Sequence, residues 1–223
     1  MYLLIPAAGM GKRMGSNQNK LLLKLKEKPL LSWTLKAANE AKNIKWIGII
    51  GQSYDFPLFT DIIAHINPSK PVKLIQGGDT RQQSVYNGLQ ALPQTAEKVL
   101  IHDGARCLAT PDLFNRCAET LLHSQALIAA IPVKDTIKVV NSNLIVKDTP
   151  PRENLWAAQT PQGFDVKLLK ECHQKGLNLG WEVTDDAALL EKCGFPVQID
   201  NGEETNLKVT TPIDLTIAQF ILK

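Results

Sequence analysis

Five short apolar runs rich in β-formers, Tyr2 to Ile5, Trp46 to Ile50, Val72 to Ile75, Val99 to Ile101 and Leu127 to Val133, are separated by longer stretches with apolar residues at helical spacing. This alternation restricts the chain to βαβ units, because parallel neighbours need a long crossover, usually a helix, to return to the same sheet edge. It predicts an α/β fold with a mostly parallel sheet. Leu30 to Ala41 carries Leu31, Leu35 and Ala38 on one face, Ser84 to Leu92 carries Val85, Leu89 and Leu92, and Pro111 to Leu122 carries Leu113, Phe114, Cys117 and Leu121. These read as crossover helices. Thr110-Pro111-Asp112 gives the last of them a capping hydroxyl, a proline suited to the first turn and an anion at the positive dipole end.

After Pro132 the alternation breaks. Thr136 to Val140 and Leu144 to Lys147 are β-rich and joined by Asn141-Ser142-Asn143, which predicts a hairpin. Further helices are expected after Asp165, over Asp185 to Lys192 with a stop at Gly194, and over Pro212 to Leu222. With 223 residues, 44% hydrophobic, and neither a repeat nor a long linker, the expectation is one domain over 1–223, with 134–157 as a β-arm excursion. The arm either packs on a second copy or forms an ordinary edge hairpin. No apolar stretch approaches the ~20 residues of a membrane span. Twenty-five Lys and Arg against 22 Asp and Glu give a net charge of +3, too little for a global nucleic-acid-binding field, so an anionic partner must be held locally. Cys107, Cys117, Cys172 and Cys193 lack zinc or CxxC spacing and read as reduced thiols.

The first strand runs into Pro6-Ala7-Ala8-Gly9-Met10-Gly11-Lys12-Arg13-Met14-Gly15, at the carboxyl end where open α/β sheets bind ligands. This is not a P-loop, because Pro6 replaces the first glycine and Arg13 follows Lys12 where Ser or Thr is required. Nor is it a dinucleotide fingerprint, since the second strand ends in Gly51-Gln52-Ser53 without an acid for a ribose. Glycines after a strand can be plain turn formers, but Arg13 offers a planar fork and Lys20 a point charge, a pair suited to a triphosphate. Lys24, Lys26 and Lys28 read as a solvated face.

Two more loops fall on the same expected edge, Gln76-Gly77-Gly78-Asp79-Thr80-Arg81-Gln82-Gln83-Ser84 and His102-Asp103-Gly104-Ala105-Arg106. Gly77-Gly78 lets a flat base approach the backbone and Ser84 offers a hydroxyl; the alternative is a βα turn capped by Asp79 or Thr80. Asp103 is the best metal-ligand candidate, since magnesium in phosphate chemistry takes one or two carboxylates with water and phosphate oxygens; the alternative is a solvated pair with Arg106. No HExxH, HxH or GxSxG is present, which argues against zinc and serine hydrolases. Thr136, Lys138, Arg152, Thr160-Pro161-Gln162 and Lys208 gain a common purpose only around a shared anionic substrate.

In this order the motifs resemble the cytidylyltransferases that act on 2-C-methyl-D-erythritol 4-phosphate, over almost the whole chain. Pro6 to Met14 looks like that family's nucleotide loop, Gly77 to Val85 its Gly-Gly-x-x-Arg-x-x-Ser-Val segment and His102 to Arg106 its His-Asp-x-x-Arg segment. Pro132 to Lys138, Arg152-x-x-Leu155-Trp156, Thr160-Pro161-Gln162, Thr184-Asp185 and Asn206 to Thr210 extend the match. The resemblance implies a Rossmann-like core with helices on both faces, transfer of CMP from CTP to the polyol phosphate with Mg2+, and a homodimer formed through the arm. It implies Arg13, Lys20, Lys208 and Arg152 as catalytic, and Ala7, Ala8, Gly9, Gly11, Gly78, Asp79 and Ser84 around the nucleotide. Asp103, Ala105, Arg106, Thr136, Arg152, Thr160 and Lys208 face the substrate, with Asp103 at the metal and Thr136 and Arg152 supplied by the other subunit. Leu21 and Cys107 stand where Gln and Pro are common in the family. Ribitol-5-phosphate cytidylyltransferase and a non-catalytic nucleotide-binding protein are the alternative readings. No nucleic-acid or membrane partner is expected, and the location implied is the cytoplasm, or the plastid stroma for a mature processed form.

Overall fold

The computed structural model of the chain describes residues 1–9 and 19–222. Strand β1 (Tyr2–Pro6) is followed by a single 3-10 turn at Lys20–Leu22 and a small ribbon, β2 (Lys24–Leu25) and β3 (Lys28–Pro29). Next come α1 (Leu30–Glu40), β4 (Trp46–Gly51), α2 (Phe56–Ile66), β5 (Val72–Gln76), α3 (Arg81–Gln90), β6 (Lys98–Ile101) and α4 (Pro111–Leu122). The second half runs through β7 (Ala126–Pro132), a ribbon of β8 (Val139–Val140) and β9 (Val146–Asp148), and β10 (Trp156–Asp165). It ends with α5 (Val166–Asn178), α6 (Asp186–Lys192), β11 (Gln198–Asn201) and α7 (Pro212–Ile221).

The central sheet has the order β11-β7-β10-β6-β1-β4-β5. Strands β6, β1, β4 and β5 pair in parallel, as do β7 and β11, while β10 lies antiparallel between β6 and β7. The predicted mostly parallel α/β sheet, Rossmann-like in its doubly wound layers, is what forms. The chain moves outward from β1 to β4 and β5, then returns to β6 on the other side of β1. This reversal opens a crevice at the carboxyl ends of β1, β4 and β6, where doubly wound sheets hold ligands.

Both sheet faces are covered, which explains why the inner strands read as continuous apolar runs. Leu3, Ile5, Ile47 and Ile49 point into one layer with Leu31 and Leu35 of α1, Phe59 of α2 and Phe114 of α4. Tyr2, Leu4, Ile50 and Val99 point into the other with Val85 and Leu89 of α3, Leu169 of α5 and Leu190 of α6. A smaller cluster of Leu25, Leu30, Cys107, Leu108, Val209 and Ala218 ties α7 and the chain around Lys208 to the loop after β6. None of the four cysteines is bridged, and Cys107, Cys117 and Cys172 are buried.

The elements that differ from expectation do so for local reasons. Helix α3 starts at Arg81 and not at Ser84, because Thr80 accepts a bond from Gln83 N and caps it there. Asp185 lies outside α6 as its cap, accepting from Ala188 N. The ribbon strands are shorter than predicted: Val139 pairs with Asp148 and Val140 with Val146, with a register shift between them. Asn141 Oδ1 takes the amides of Asn143 and Ile145, so side-chain bonding closes the turn. Strands β10 and β11 and helix α2 are additions to the predicted set.

Candidate active site

The loops after β1, β5 and β6 and the irregular segment following Asn206 converge on a cavity of about 490 Å³. Of the residues singled out in the sequence, Ala7, Ala8, Gly9, Lys20, Gly78, Asp79, Ser84, Asp103, Ala105 and Lys208 line it, together with Gln52, Tyr54 and Arg81. Arg13 and Gly11 lie outside the described residues.

The base-sized end is built from backbone. Gly77 N donates to Gly51 O at 2.8 Å, bringing the loop after β5 against the end of β4. A Cβ at Gly77 would sit 2.9 Å from the Ala8 side chain and 3.2 Å from Ser84 Oγ, so a glycine is required for this close approach. Ser84 Oγ accepts from Gly78 N at 3.0 Å and donates to Thr80 O at 2.8 Å. The hydroxyl predicted to read a base therefore also holds the glycine backbone in place. The capping reading of this loop is realised at Thr80, which caps α3, and Gly78, Asp79 and Ser84 line the cavity.

Lys20 owes its position to a residue that the sequence did not single out. Asn19 is buried, and its side chain accepts from Leu21 N at 3.0 Å while donating to Ala7 O at 2.6 Å and Asp55 Oδ2 at 2.8 Å. The turn carrying Lys20 is thereby fastened to the loop after β1. Lys20 Nζ lies 3.4 Å from Val209 O, and Val209 N donates to Ala105 O at 2.9 Å, which joins three segments at the polar end of the cavity. Gly104 O accepts from the buried Thr34 hydroxyl at 2.9 Å, anchoring the Asp103 loop to α1.

Asp103 is the acidic centre of that end. Its Oδ2 is 2.6 Å from Lys208 Nζ and its Oδ1 is 3.9 Å from Arg81 Nη2. Burial pushes the carboxyl up, but Lys208, Arg81 and Arg106 outweigh it and hold the pKa at about 2, so the group is an anion throughout the physiological range. Its ion-pair partners are Lys208 and Arg81; Arg106 instead donates from Nη1 to Asn206 O at 2.7 Å and from Nη2 to Ala158 O at 3.2 Å. Arg106, expected at the substrate, thus ties the loop after β6 to the segment at Asn206 and to strand β10, and is not among the residues lining the cavity.

Thr160, also expected at the substrate, is buried in the support of Asp103. Its hydroxyl accepts from Asp103 N at 3.0 Å and donates to His102 Nδ1 at 3.0 Å. The tautomer follows from the other ring nitrogen, since His102 Nε2 faces the Arg106 carbonyl at 3.2 Å and must donate to it. His102 is fully buried, and burial lowers its pKa to about 4, which keeps it neutral as this chain of bonds requires. Thr136 and Arg152 lie on the arm and outside the cavity lining, with Arg152 Nη1 donating to Lys134 O at 3.0 Å.

A divalent cation fits this donor set in one way. Among the described residues no cluster of three or more His, Cys, Asp or Glu side chains forms, so an all-protein cage is absent there. One hard carboxylate at the cavity wall suits a cation that arrives with phosphate oxygens and keeps its waters. No described helix is long and apolar enough to cross a membrane.

Comparison with known proteins gives a consistent result. The sequence profile described as 2-C-methyl-D-erythritol 4-phosphate cytidylyltransferase matches residues 1–223. The protein of that name from Crocosphaera subtropica is 74% identical over 223 residues, covering 100% of this chain and 98% of its own. That from Nostoc punctiforme is 69% identical over 222 residues, with coverage of 100% and 98%. The crystal structure of 4-diphosphocytidyl-2C-methyl-D-erythritol synthase from Anaerococcus prevotii superimposes with a TM-score of 0.89 at 32% identity, covering 99% of this chain and 97% of that one.

Proposed function

The chain belongs to the 2-C-methyl-D-erythritol 4-phosphate cytidylyltransferase family, and on that premise we propose that it transfers CMP from CTP to 2-C-methyl-D-erythritol 4-phosphate. The products are 4-diphosphocytidyl-2-C-methyl-D-erythritol and pyrophosphate, and the step belongs to non-mevalonate isoprenoid synthesis in the cytoplasm. The observation that carries the reading is one cavity lined both by the Gly78 backbone and the Ser84 hydroxyl and by the charged side chains of Lys20, Asp103 and Lys208. A base and a run of phosphates need both kinds of lining.

In this reading Ala7, Ala8, Gly78, Asp79 and Ser84 hold the cytosine, and Arg13 and Lys20 hold the triphosphate. Lys208 draws the substrate phosphate toward the α-phosphorus by exchanging its pair with Asp103 for phosphate oxygens. The substrate phosphate is itself the nucleophile, so no side chain forms a covalent intermediate; the work is alignment and stabilisation of charge on the phosphoryl oxygens. Nucleotidyltransferases generally use a divalent metal, and Asp103 is the residue that would hold Mg2+ here, which would neutralise phosphate charge when bound. One catalytic domain over 1–223 is completed by a second copy, whose arm, residues 134–157, brings Thr136 and Arg152 to the substrate.

The test is pyrophosphate release from CTP and Mg2+ with either 2-C-methyl-D-erythritol 4-phosphate or ribitol 5-phosphate. Release with the first and not the second is expected. Preference for ribitol 5-phosphate would reassign the polyol, and CTP binding with no release in either case would leave a nucleotide-binding protein.

A further inference from the structure

From Asp103 at the cavity wall a row of charged side chains runs inward through Arg81 to Asp186 and His173. Arg81 lies between two carboxylates. In front, its Nη2 is 3.9 Å from Asp103 Oδ1; behind, its Nη1 is 2.8 Å from Oδ2 of Asp186. The second oxygen of Asp186, Oδ1, lies 3.4 Å from His173 Nε2. Asp186 is 1% and His173 2% exposed, while Arg81 is one-third exposed at 33%.

The two sides of Arg81 are unequal. Burial disfavours an ionised Asp186, but Arg81 first and His173 next hold its carboxyl below the ordinary range, so a buried anion is kept charged by these two groups. A guanidinium drawn to a rear contact at 2.8 Å and standing 3.9 Å from the front carboxylate is held short of full pairing with Asp103. Without the rear anion, Asp103 would be the remaining ion-pair partner for a partly buried cation, whose attraction to it would then go unopposed.

We propose that Asp186, backed by His173, is a positioning residue that holds the Arg81 guanidinium off Asp103 and so leaves Asp103 Oδ1 open to the cation carried by the nucleotide. The inference rests on the proposed role of Asp103 as the metal-holding residue in cytidylyl transfer. Asp186 and His173 are on α6 and α5 and are not among the residues lining the cavity, so they act through Arg81 without touching substrate.

The experiment measures binding of the Mn2+–CTP complex to the protein, by the rise in water-proton relaxation over that of Mn2+ and CTP alone, with no polyol phosphate. Asp186→Asn is expected to weaken binding by about tenfold, the usual scale for removing an outer partner of a metal ligand. The same substitution made in an Arg81→Gln background should leave Mn2+–CTP affinity where Arg81→Gln alone puts it, because the guanidinium to be held back is gone. A general loosening of α5 and α6 would instead lower affinity equally in both backgrounds, and that result, or an unchanged affinity in Asp186→Asn, overturns the proposal. His173→Gln, milder toward folding, should shift affinity in the same direction by less and lose its effect in the Arg81→Gln background; a shift that persists there also counts against it. Wild-type turnover, measured separately, reports on the cytidylyltransferase reading: no turnover with an intact Mn2+ cycle would sink that reading and not this one.

Discussion

The cavity floor and the arm carry the two halves of the expected substrate contacts, and they are built on opposite terms. At the floor, loops leave strands whose side chains are buried on both faces, and each functional group is tied down: Lys20 through Asn19, Asp103 through Thr160, Gly78 through Ser84. The arm is a ribbon of few paired residues with Val139, Val140, Ile145 and Val146 about half exposed and Leu144 at 82%. A two-stranded ribbon has little stability alone, and a run of apolar side chains in water marks a contact surface. The floor is fixed by contacts within the chain, whereas the arm leaves its apolar side chains exposed.

The sharpest break of that comparison is Lys20→Ala. If the floor is a preorganised electrostatic site, turnover at saturating CTP and substrate should fall by about two orders of magnitude, ~3 kcal/mol or more, because a cation aimed at developing phosphoryl charge acts in the transition state. CTP affinity should change much less, and assembly through the arm should not change. Stopped-flow pyrophosphate release beside calorimetric CTP binding separates the two quantities; wild-type turnover in the variant would remove Lys20 from the chemistry.

Next in size is a pH effect confined to the floor. His102 titrates at about 4 when folded because burial opposes the imidazolium, against roughly 6.5 in an unfolded chain. Between these values the unfolded chain binds a proton that the folded one refuses, so stability falls as pH drops through this window and the loss levels off below about 4. The full loss is about 3 kcal/mol. Urea unfolding of wild type and His102→Asn across this range should show a steeper fall for wild type; parallel curves would mean that the imidazole carries no such penalty. Thr160→Val is expected to cost less, about 2 kcal/mol by the same measurement, since it strands the His102 Nδ1 and Asp103 N groups.

How much of this was legible follows the same division. Strands β1, β4 and β6 and the loops after them could be read from the sequence because double-sided burial writes continuous apolar runs, the edge strand β5 keeps Val72, Leu74 and Ile75 as its signal, and motifs at their carboxyl ends must then converge. Strand β10 could not, because the residues it buries include Gln159, Thr160 and Gln162, which bond to partners distant in sequence: Asn206 donates to Gln159 Oε1 and Thr160 O, and Gln162 Nε2 donates to Asp185. The edge strand β11 reads Gln-Ile-Asp-Asn and lacks an apolar signature. Helix α2 does carry spaced apolar residues, Phe59, Ile62, Ile63 and Ile66, behind a proline in its first turn, so its signal was present in the pattern. Asn19 and the Arg81–Asp186 pair carried no sequence signal, since their partners lie 36 and 105 residues away. The hairpin was visible, but its strands came out shorter because the Asn141 side chain closes a wider turn.

The smallest expected signal tests the arm most directly. If Arg152 completes the site of the opposite subunit, Lys20→Ala and Arg152→Ala homodimers are each impaired at both sites, for different reasons. After random exchange in an equal mixture, half of the dimers are mixed, and each mixed dimer has one site with both groups intact and one with neither. About a quarter of wild-type activity should therefore return. Differently labelled subunits must first be shown to exchange, for example by energy transfer between fluorophores on the two variants. Should Arg152 serve its own chain's cavity, every site in the mixed dimer would lack one group or the other, and exchange would restore nothing. Substituting Val140 and Ile145 with aspartate supplies the converse experiment, since charge on that face should separate the subunits and lower turnover even though the floor is untouched. A wild-type chain that is monomeric and fully active would show instead that the floor is sufficient and that the apolar face of the arm has another use.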